Sequence, residues 1–201
     1  MPRLKVCGVT SPEFAGEAVR RGVDYIGMIF VDGSPRRVDM DTALAIESAA
    51  KGVKLVGVFA NSSVYEIVST ARRVPMDVVQ LHGDYDVEAV AVLRQLGFEV
   101  WRLDDGGAFA GEDATLVDGI DGGRRGGTGK LADWSRVPEL KREGRRVVLA
   151  GGLSAANIAE AAATGADVLD INSSLEVSPG EKSLAKLDEL LARLTPKDTK
   201  Q

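Results

Sequence analysis

Short apolar runs recur along the chain, and most of them are followed by residues with the hydrophobic spacing of an amphipathic helix. Several runs are continuous in Val, Ile and Leu rather than alternating, which is typical of parallel strands covered on both faces. The pattern therefore predicts an α/β protein. The predicted strands are Leu4–Cys7, Tyr25–Phe30, Lys54–Ala60, Asp77–Leu81, Phe98–Leu103, Thr115–Asp118, Val147–Ala150 and Val168–Ile171.

The predicted helices between these strands have recognisable start signals. Ser11 precedes Pro12, which gives an N-cap followed by proline at the first helical position. The other starts are also polar residues that can accept a hydrogen bond from a helical N–H group. They are Asp39 or Asp41 for a helix to Ala50, Ser63 for a helix to Arg73, Ser154 for a helix closed by Gly165, and a last helix over Lys182–Leu194 before a polar, frayed tail at Thr195–Gln201.

Eight strands alternating with helices are compatible with a closed barrel or with an open doubly wound sheet. The number of strands and the polar residues at their ends favour a small (β/α)8 TIM barrel, with residues 1–201 as one domain. One unit is abbreviated, because only Asp104–Asp113 separates the fifth and sixth strands. A crossover with its helix needs about 10–12 residues. We therefore predict a single turn or an irregular segment there.

Composition limits the classes of partner. The net charge of −5 argues against nucleic acid or an anionic membrane, although a small anionic ligand stays possible. The single cysteine cannot form an internal disulfide, which fits a reducing compartment. No apolar segment has the length of a signal peptide or a membrane span. We expect a cytoplasmic protein, monomeric or homodimeric, that acts on a small molecule.

Nearly every predicted strand ends in a hydrogen-bond donor, a charge or a glycine, and barrel enzymes build their active sites at these ends. Turn formation explains about half of these residues, but not Cys7, Arg36 and His82. A lone buried cysteine usually behaves as an apolar residue, whereas a thiolate is also a competent base. His82 lacks companions for a metal site, so no metal is expected. The strand ends are Cys7-Gly8, Ser34-Pro35-Arg36, Asn61, His82-Gly83, Arg102 and Asp104, Asp118, Gly151-Gly152, and Asn172-Ser173-Ser174.

Two glycine-rich stretches predict a site for an anion. Arg124–Lys130 follows the sixth strand, and Ala150–Ser154 joins the seventh strand to its helix. Glycine lets backbone N–H groups converge on an anion, and the start of a helix adds positive potential. Barrel enzymes often hold phosphate with the loops after strands seven and eight. The residues at those two places are Gly151, Gly152, Ser173 and Ser174.

Several segments, taken in order, carry a family resemblance that none of them carries alone. They are Lys5–Thr10, Gly27–Phe30 with Ser34–Arg36, Val56–Asn61, Val78–Gly83, Gly126–Gly129 with Asp133-Trp134, Leu149–Leu153, and Asp170–Glu176 with Pro179–Lys182. This ordered set resembles the phosphoribosylanthranilate isomerase family of the tryptophan pathway, over residues 5 to about 190.

The resemblance implies a (β/α)8 barrel that catalyses an Amadori rearrangement without a cofactor. N-(5-phosphoribosyl)anthranilate becomes 1-(2-carboxyphenylamino)-1-deoxyribulose 5-phosphate. A general acid protonates the ribose ring oxygen and opens the ring, and a general base then removes the proton from C2′.

The resemblance also implies residue roles. The base is Cys7, and the acid is the aspartate that ends the sixth strand. Asp118 is preferred because it directly follows the apolar run, and Asp121 is the alternative. Arg36 is expected to hold the anthranilate end with its planar guanidinium, and His82 to line or position the substrate. The residues expected to hold phosphate are Gly127, Gly151, Gly152, Ser173 and Ser174.

The segment after the eighth strand departs from the family's pattern. Asn172 stands where the family has serine, and Ser174 stands where it has glycine, so the phosphate contacts there stay open. Two other functions also stay open. One is an isomerase that accepts the related aminoaldose of histidine biosynthesis as well. The other is a barrel that binds a phosphorylated ligand without turning it over.

Overall fold

The chain folds, in a computed structural model, as a closed barrel of eight parallel strands with helices outside it. The structure describes residues 1–104, 106, 109–121, 124–125 and 132–194. Barrel strands are neighbours in chain order, and the eighth pairs with the first to close the barrel. The strands are β1 Arg3–Val6, β2 Tyr25–Ile29, β3 Lys54–Ala60, β4 Val78–His82, β5 Glu99–Leu103, β6 Ala114–Val117, β7 Val147–Leu149 and β8 Val168–Ile171. The predicted (β/α)8 fold is confirmed.

Side-chain caps fix the starts of several helices. The Ser11 hydroxyl accepts a hydrogen bond from the Phe14 N–H at 3.1 Å, and Ser63 and Glu66 form a reciprocal capping box. Each such cap stabilises its helix by about 1 kcal/mol. Asp39, not Asp41, caps the second helix. The helices are α1 Pro12–Arg20, α2 Met40–Ala49, α3 Val64–Arg73, α4 Val87–Gln95, α5 Arg136–Arg142, α6 Ile158–Ala163 and α7 Leu184–Leu194. Among these helices, none is both long and apolar enough to cross a membrane.

Helix α6 begins later than the sequence predicts, at Ile158 rather than directly after Ser154. The reason is the side chain of Asn157, which is used to hold the preceding loop. Its Oδ1 accepts from the Ser154 N–H at 2.8 Å, and its Nδ2 donates to the Gly152 carbonyl at 3.0 Å. The predicted helix start is thus a turn that braces the glycine loop.

Helix α7 also begins later, at Leu184 rather than Lys182. Residues Glu176–Ser178 pair in antiparallel fashion with Glu181–Lys182, and we call this pair of short strands the C-terminal hairpin. Lys182 therefore belongs to the hairpin, where its ammonium group is buried.

The connection from β5 to β6 contains no helix in its described residues, which confirms the abbreviated unit. The buried Glu112 carboxylate orders this irregular segment. It accepts hydrogen bonds from the Ala110 N–H and from the Thr115 hydroxyl, each at 3.0 Å.

Alternation along the strands decides which side chains face the barrel interior. In β1, Leu4 and Val6 pack in the cluster beneath the helices, whereas Lys5 and Cys7 face inward. Most of the interior side chains are apolar, so a buried lysine among them stands out. The interior cluster consists of Cys7, Tyr25, Ile29, Val56, Val58, Val78, Trp101, Leu103, Ala114, Leu116, Val148, Ala150 and Val168.

Candidate active site

A cavity of about 580 Å³ opens at the carboxyl ends of the barrel strands. Its volume lies within the range of small-molecule sites. Residues from strands far apart in the sequence meet in it, because the closed barrel brings every strand end to one rim. The predicted site residues that line the cavity are Cys7, Arg36, His82, Asp118, Gly151, Gly152 and Ser173.

Three other candidates are placed differently. The Ser174 side chain does not line the cavity, because its hydroxyl donates to the Leu153 carbonyl at 2.6 Å. Gly127 lies outside the described residues. Asp121, the alternative acid, lies in a two-residue strand just beyond β6, paired with Arg124–Arg125.

The Cys7 thiol occupies a tight corner of the cavity. Gly27 packs closely against it, because a Cβ at this position would lie 3.1 Å from both Cys7 Sγ and Lys5 Cε. The Cys7 backbone is fixed as well, since its N–H donates to the Ile171 carbonyl at 2.8 Å. Backbone pairing and close packing thus hold the thiol in one position.

A buried ion pair lies directly behind this thiol, and the sequence analysis missed it. Lys5 Nζ is 2.6 Å from Asp170 Oδ2, and both side chains are at most 5% exposed. The two residues are register partners in adjacent strands β1 and β8. The available signal was the position of Lys5 between two apolar residues of one strand, with Asp170 similarly placed in β8.

Electrostatics at the thiol involve several charges. Burial raises the pKa of Cys7, and the carboxylate of Asp170 raises it further, while the cations of Lys5 and Lys182 oppose this rise. Burial alone would lower the pKa of Lys5, but Asp170 and Cys7 raise it overall. Lys5 therefore stays charged and favours the thiolate form of Cys7.

The Asp118 carboxylate lies against the glycine loop after β7. Its Oδ1 accepts a hydrogen bond from the Gly119 N–H at 2.7 Å. A Cβ at Gly151, which has a φ of +79°, would lie only 2.4 Å from Gly119 N and 3.0 Å from Asp118 Oδ1. Glycine at this position therefore lets the loop and the carboxylate approach each other closely.

Two side chains stabilise the loop after β7. Asn157, directly before α6, donates to the Gly152 carbonyl, and Ser174, in the segment after β8, donates to the Leu153 carbonyl. Ser173 and Asn172 reach the cavity beside it. The two loops that were predicted to bind an anion are thus joined by one direct hydrogen bond, from Ser174 to Leu153.

His82 is partly buried beside Gln80. Gln80 Nε2 lies 2.8 Å from His82 Nε2. Burial and the charge of Lys5 lower the pKa of His82 to about 4, so its ring is neutral at pH 7. A neutral imidazole can accept or donate a hydrogen bond without adding charge to the cavity.

Arg36 forms a bidentate ion pair that the sequence analysis also missed. Its Nε and Nη2 donate to the two carboxylate oxygens of Glu176 at 2.8 and 2.7 Å. Glu176 belongs to one of the segments that carry the family resemblance, but the local sequence does not indicate its partner, which lies 140 residues away. Within the part of the chain that the structure describes, no group of three or more His, Cys, Asp or Glu side chains could hold a metal ion.

The protein is a (β/α)8 barrel with an acid, a thiol and a glycine-rich loop at its strand ends. These features place it in the class of barrel enzymes that act on small molecules. The family model described as N-(5'-phosphoribosyl)anthranilate (PRA) isomerase matches residues 4–193. The chain belongs to this family, whose members are isomerases of tryptophan biosynthesis. The predicted family and activity are confirmed.

Individual relatives agree with this assignment. The chain is 35% identical to N-(5'-phosphoribosyl)anthranilate isomerase of Acidithiobacillus ferrooxidans, over 96% of this chain and 98% of the relative. The solved phosphoribosyl anthranilate isomerase of Thermus thermophilus is 32% identical, with a TM-score of 0.84 over 96% of this chain and 98% of that one. A further isomerase structure, 25% identical with a TM-score of 0.82 over the same shares, contains reduced 1-(o-carboxyphenylamino)-1-deoxyribulose 5-phosphate.

Proposed function

We propose that the cavity converts N-(5-phosphoribosyl)anthranilate to 1-(2-carboxyphenylamino)-1-deoxyribulose 5-phosphate, with Cys7 as general base and Asp118 as general acid. The observation that carries this proposal is the shared cavity, in which the thiol and the carboxylate lie at the ends of strands three places apart around the barrel. The reaction needs a proton donor at the ring oxygen and a proton acceptor at C2′ of the same sugar.

The phosphate position favours Asp118 as the acid. The ribose ring oxygen is bonded to C4′, next to the carbon that carries the phosphate. A phosphate held by Gly151, Gly152 and Ser173 therefore brings the ring oxygen close to that loop. Asp118 Oδ1 lies directly against Gly151, so it is the carboxylate best placed to protonate that oxygen.

Cys7 is suited to remove the proton from C2′. A neutral thiol is tolerated in the apolar interior, and the adjacent cation of Lys5 favours the thiolate that the reaction needs. The base must have a pKa near the working pH to be effective. Burial raises the pKa of Cys7, and the cation of Lys5 limits this rise.

The opposite end of the cavity fits the anthranilate group. Ile29, Val31 and Val58 provide an apolar wall for the aromatic ring. Arg36, on the loop after β2, also lines the cavity and offers donors to the ring carboxylate. His82 is neutral and lines the cavity, so it is assigned to positioning rather than to proton transfer. A phosphorylated small molecule as partner and a cytoplasmic location belong to this proposal.

A fluorescence assay of phosphoribosylanthranilate consumption by the purified protein tests the proposal. We expect turnover by the wild type and a loss of about 10²- to 10⁴-fold for Cys7→Ser, because a hydroxyl is a much weaker base than a thiolate. Binding of the reduced product analogue should persist in this variant. Turnover of Cys7→Ser near the wild-type rate would reject Cys7 as the base.

A further inference from the structure

The buried carboxylate of Glu176 accepts hydrogen bonds from Arg36, which lines the cavity, and from Lys182 and Gly180, which do not. Its Oε2 accepts from Arg36 Nη2 at 2.7 Å. Its Oε1 accepts from Arg36 Nε and Lys182 Nζ, each at 2.8 Å, and from the Gly180 N–H at 3.2 Å. The Glu176 side chain is only 5% exposed and itself does not line the cavity. Glu176 therefore acts on a ligand only through its neighbours.

The ammonium group of Lys182 also uses its hydrogen bonds within the protein. It is 1% exposed, and its three donors go to Glu176 Oε1 and to the carbonyl and Oδ1 of Asn172, at 2.7–2.9 Å. An ammonium group has three donors. Lys182 thus has none left for a ligand, but it contributes one positive charge and anchors Asn172 at the phosphate end of the cavity.

Arg36, in contrast, keeps donors for a ligand. Glu176 takes the Nε–H and one Nη2–H, which form one edge of the guanidinium. Of the five donors of the group, the outer edge formed by Nη1 and Nη2 can still hold a second carboxylate in bidentate geometry. The aliphatic part of the Arg36 side chain also packs closely against Gly8, where a Cβ would lie 2.8 Å from Arg36 Cδ.

The charges of this cluster agree with an anionic ligand. Arg36 and Lys182 supply two positive charges, and Glu176 supplies one negative charge, which leaves a net positive charge at the cavity wall. Burial by itself would raise the pKa of Glu176, but hydrogen bonds from Arg36 and Lys182 hold it at about 2. The carboxylate therefore stays ionised and keeps the guanidinium in place over the working pH range.

We propose that Glu176, supported by Lys182, is a positioning residue that orients the outer edge of Arg36 toward the ring carboxylate of the substrate. This inference rests on the proposed role of Arg36. The C-terminal hairpin then connects Arg36 to Asn172, since Lys182 donates to both Glu176 and Asn172. Through Arg36, the hairpin sets the selectivity of the cavity for an anionic ring.

Two probes separate this role from a merely structural one. The first is the reduced product analogue, and the second is the same compound without its ring carboxyl group. The ratio of their dissociation constants measures how well the protein recognises the carboxylate. We expect the wild type to prefer the carboxylated compound by about tenfold to a hundredfold, the effect of a charge-assisted hydrogen-bond pair. In Glu176→Gln this ratio should fall to within about threefold of unity.

The outcomes distinguish the proposed role of Arg36 from that of Glu176. A wild type that binds both compounds equally would overturn the role of Arg36 in carboxylate binding. A wild type that discriminates while Glu176→Gln discriminates equally well would overturn only the inference about Glu176. Arg36→Ala should also lose the preference, and adding Glu176→Gln to it should change the ratio no further.

A matched control lies on the same hairpin. Glu181 is exposed, and among the described residues its carboxylate accepts only from the Ser178 hydroxyl at 2.9 Å, so Glu181→Gln should leave the ratio unchanged. If Glu176→Gln does not fold because Lys182 loses its partner, Glu176→Gln/Lys182→Met removes both charges together. The ratio should fall in this variant as well, and a preserved ratio would again overturn the inference.

Discussion

The two ends of the barrel interior both contain charged side chains, but they differ in how fully these are paired. At the amino-terminal end, the Tyr25 hydroxyl accepts from Arg3 and Arg146, each at 2.8 Å. Glu99 accepts from Trp101 Nε1 at 2.7 Å, from Lys54 at 2.6 Å and from Arg146. We call this group of residues the basal cluster. Its polar groups satisfy one another, as expected of a cluster that stabilises the fold.

At the carboxyl end, the pairing is incomplete. Asp170 Oδ1 and Gln80 Oε1 are buried and line the cavity, yet neither has a hydrogen-bond partner among the described residues. Arg36 keeps one edge for a ligand. Buried polar groups are normally hydrogen-bonded, so unpartnered ones that line a cavity are available to a ligand. Under the proposed function, charged and polar side chains therefore stabilise the fold at one end and bind substrate at the other.

Among the substitutions that test this difference between the two ends, Asp118→Asn is expected to have the largest effect on turnover. Asp118→Asn keeps the size of the side chain but removes the transferable proton. Turnover should fall by about 10²- to 10⁴-fold, as for the loss of a general acid. Asp121→Asn is the matched control, and it should keep near-normal turnover in the same assay. The reverse pattern would assign the acid to Asp121 instead.

A change in the basal cluster should affect stability and not turnover. Tyr25→Phe removes the oxygen that accepts from Arg3 and Arg146 while the ring stays packed against Trp101. We expect a loss of about 0.5–1.5 kcal/mol in the free energy of unfolding, the net contribution of a hydrogen bond, because Arg3 is exposed and Arg146 is 29% exposed and both stay accessible to water. Urea unfolding measures it, and kcat should stay within about twofold. A large drop in kcat at unchanged stability would contradict the division between the two ends.

A separate effect concerns the pH dependence of stability contributed by His82. Its pKa falls from 6.5 to about 4 on folding, so the unfolded chain binds a proton more readily between these values. Stability should therefore be fully present above pH 6.5 and be lost as the pH falls toward 4, by about 3 kcal/mol in total. His82→Gln should remove this component of the pH dependence.

Nuclear magnetic resonance can measure the pKa directly, because His82 is the only histidine of the chain. A midpoint near 4 is expected for its ring proton signals. A midpoint at 6.5 or above would contradict the neutral positioning role.

Local sequence patterns predicted the strands and most helix starts, because apolar runs and caps are local signals. Cys7, Asp118 and the glycine loop were located for the same reason, since each lies at a strand end. The pairing of Lys5 with Asp170 and of Arg36 with Glu176 was not predicted, because it depends on barrel closure between distant strands. Asn157 was read as part of a helix, since its hydrogen bond to Gly152 exists only in the folded loop.

A crystal structure of the protein with the reduced product analogue tests the central claim most directly. The account predicts the phosphate at Gly151, Gly152 and Ser173, the ring carboxylate on the outer edge of Arg36, and the sugar carbons between Cys7 and Asp118. A ligand bound in the opposite direction, with its phosphate on Arg36, would contradict the proposed assignment of acid and base.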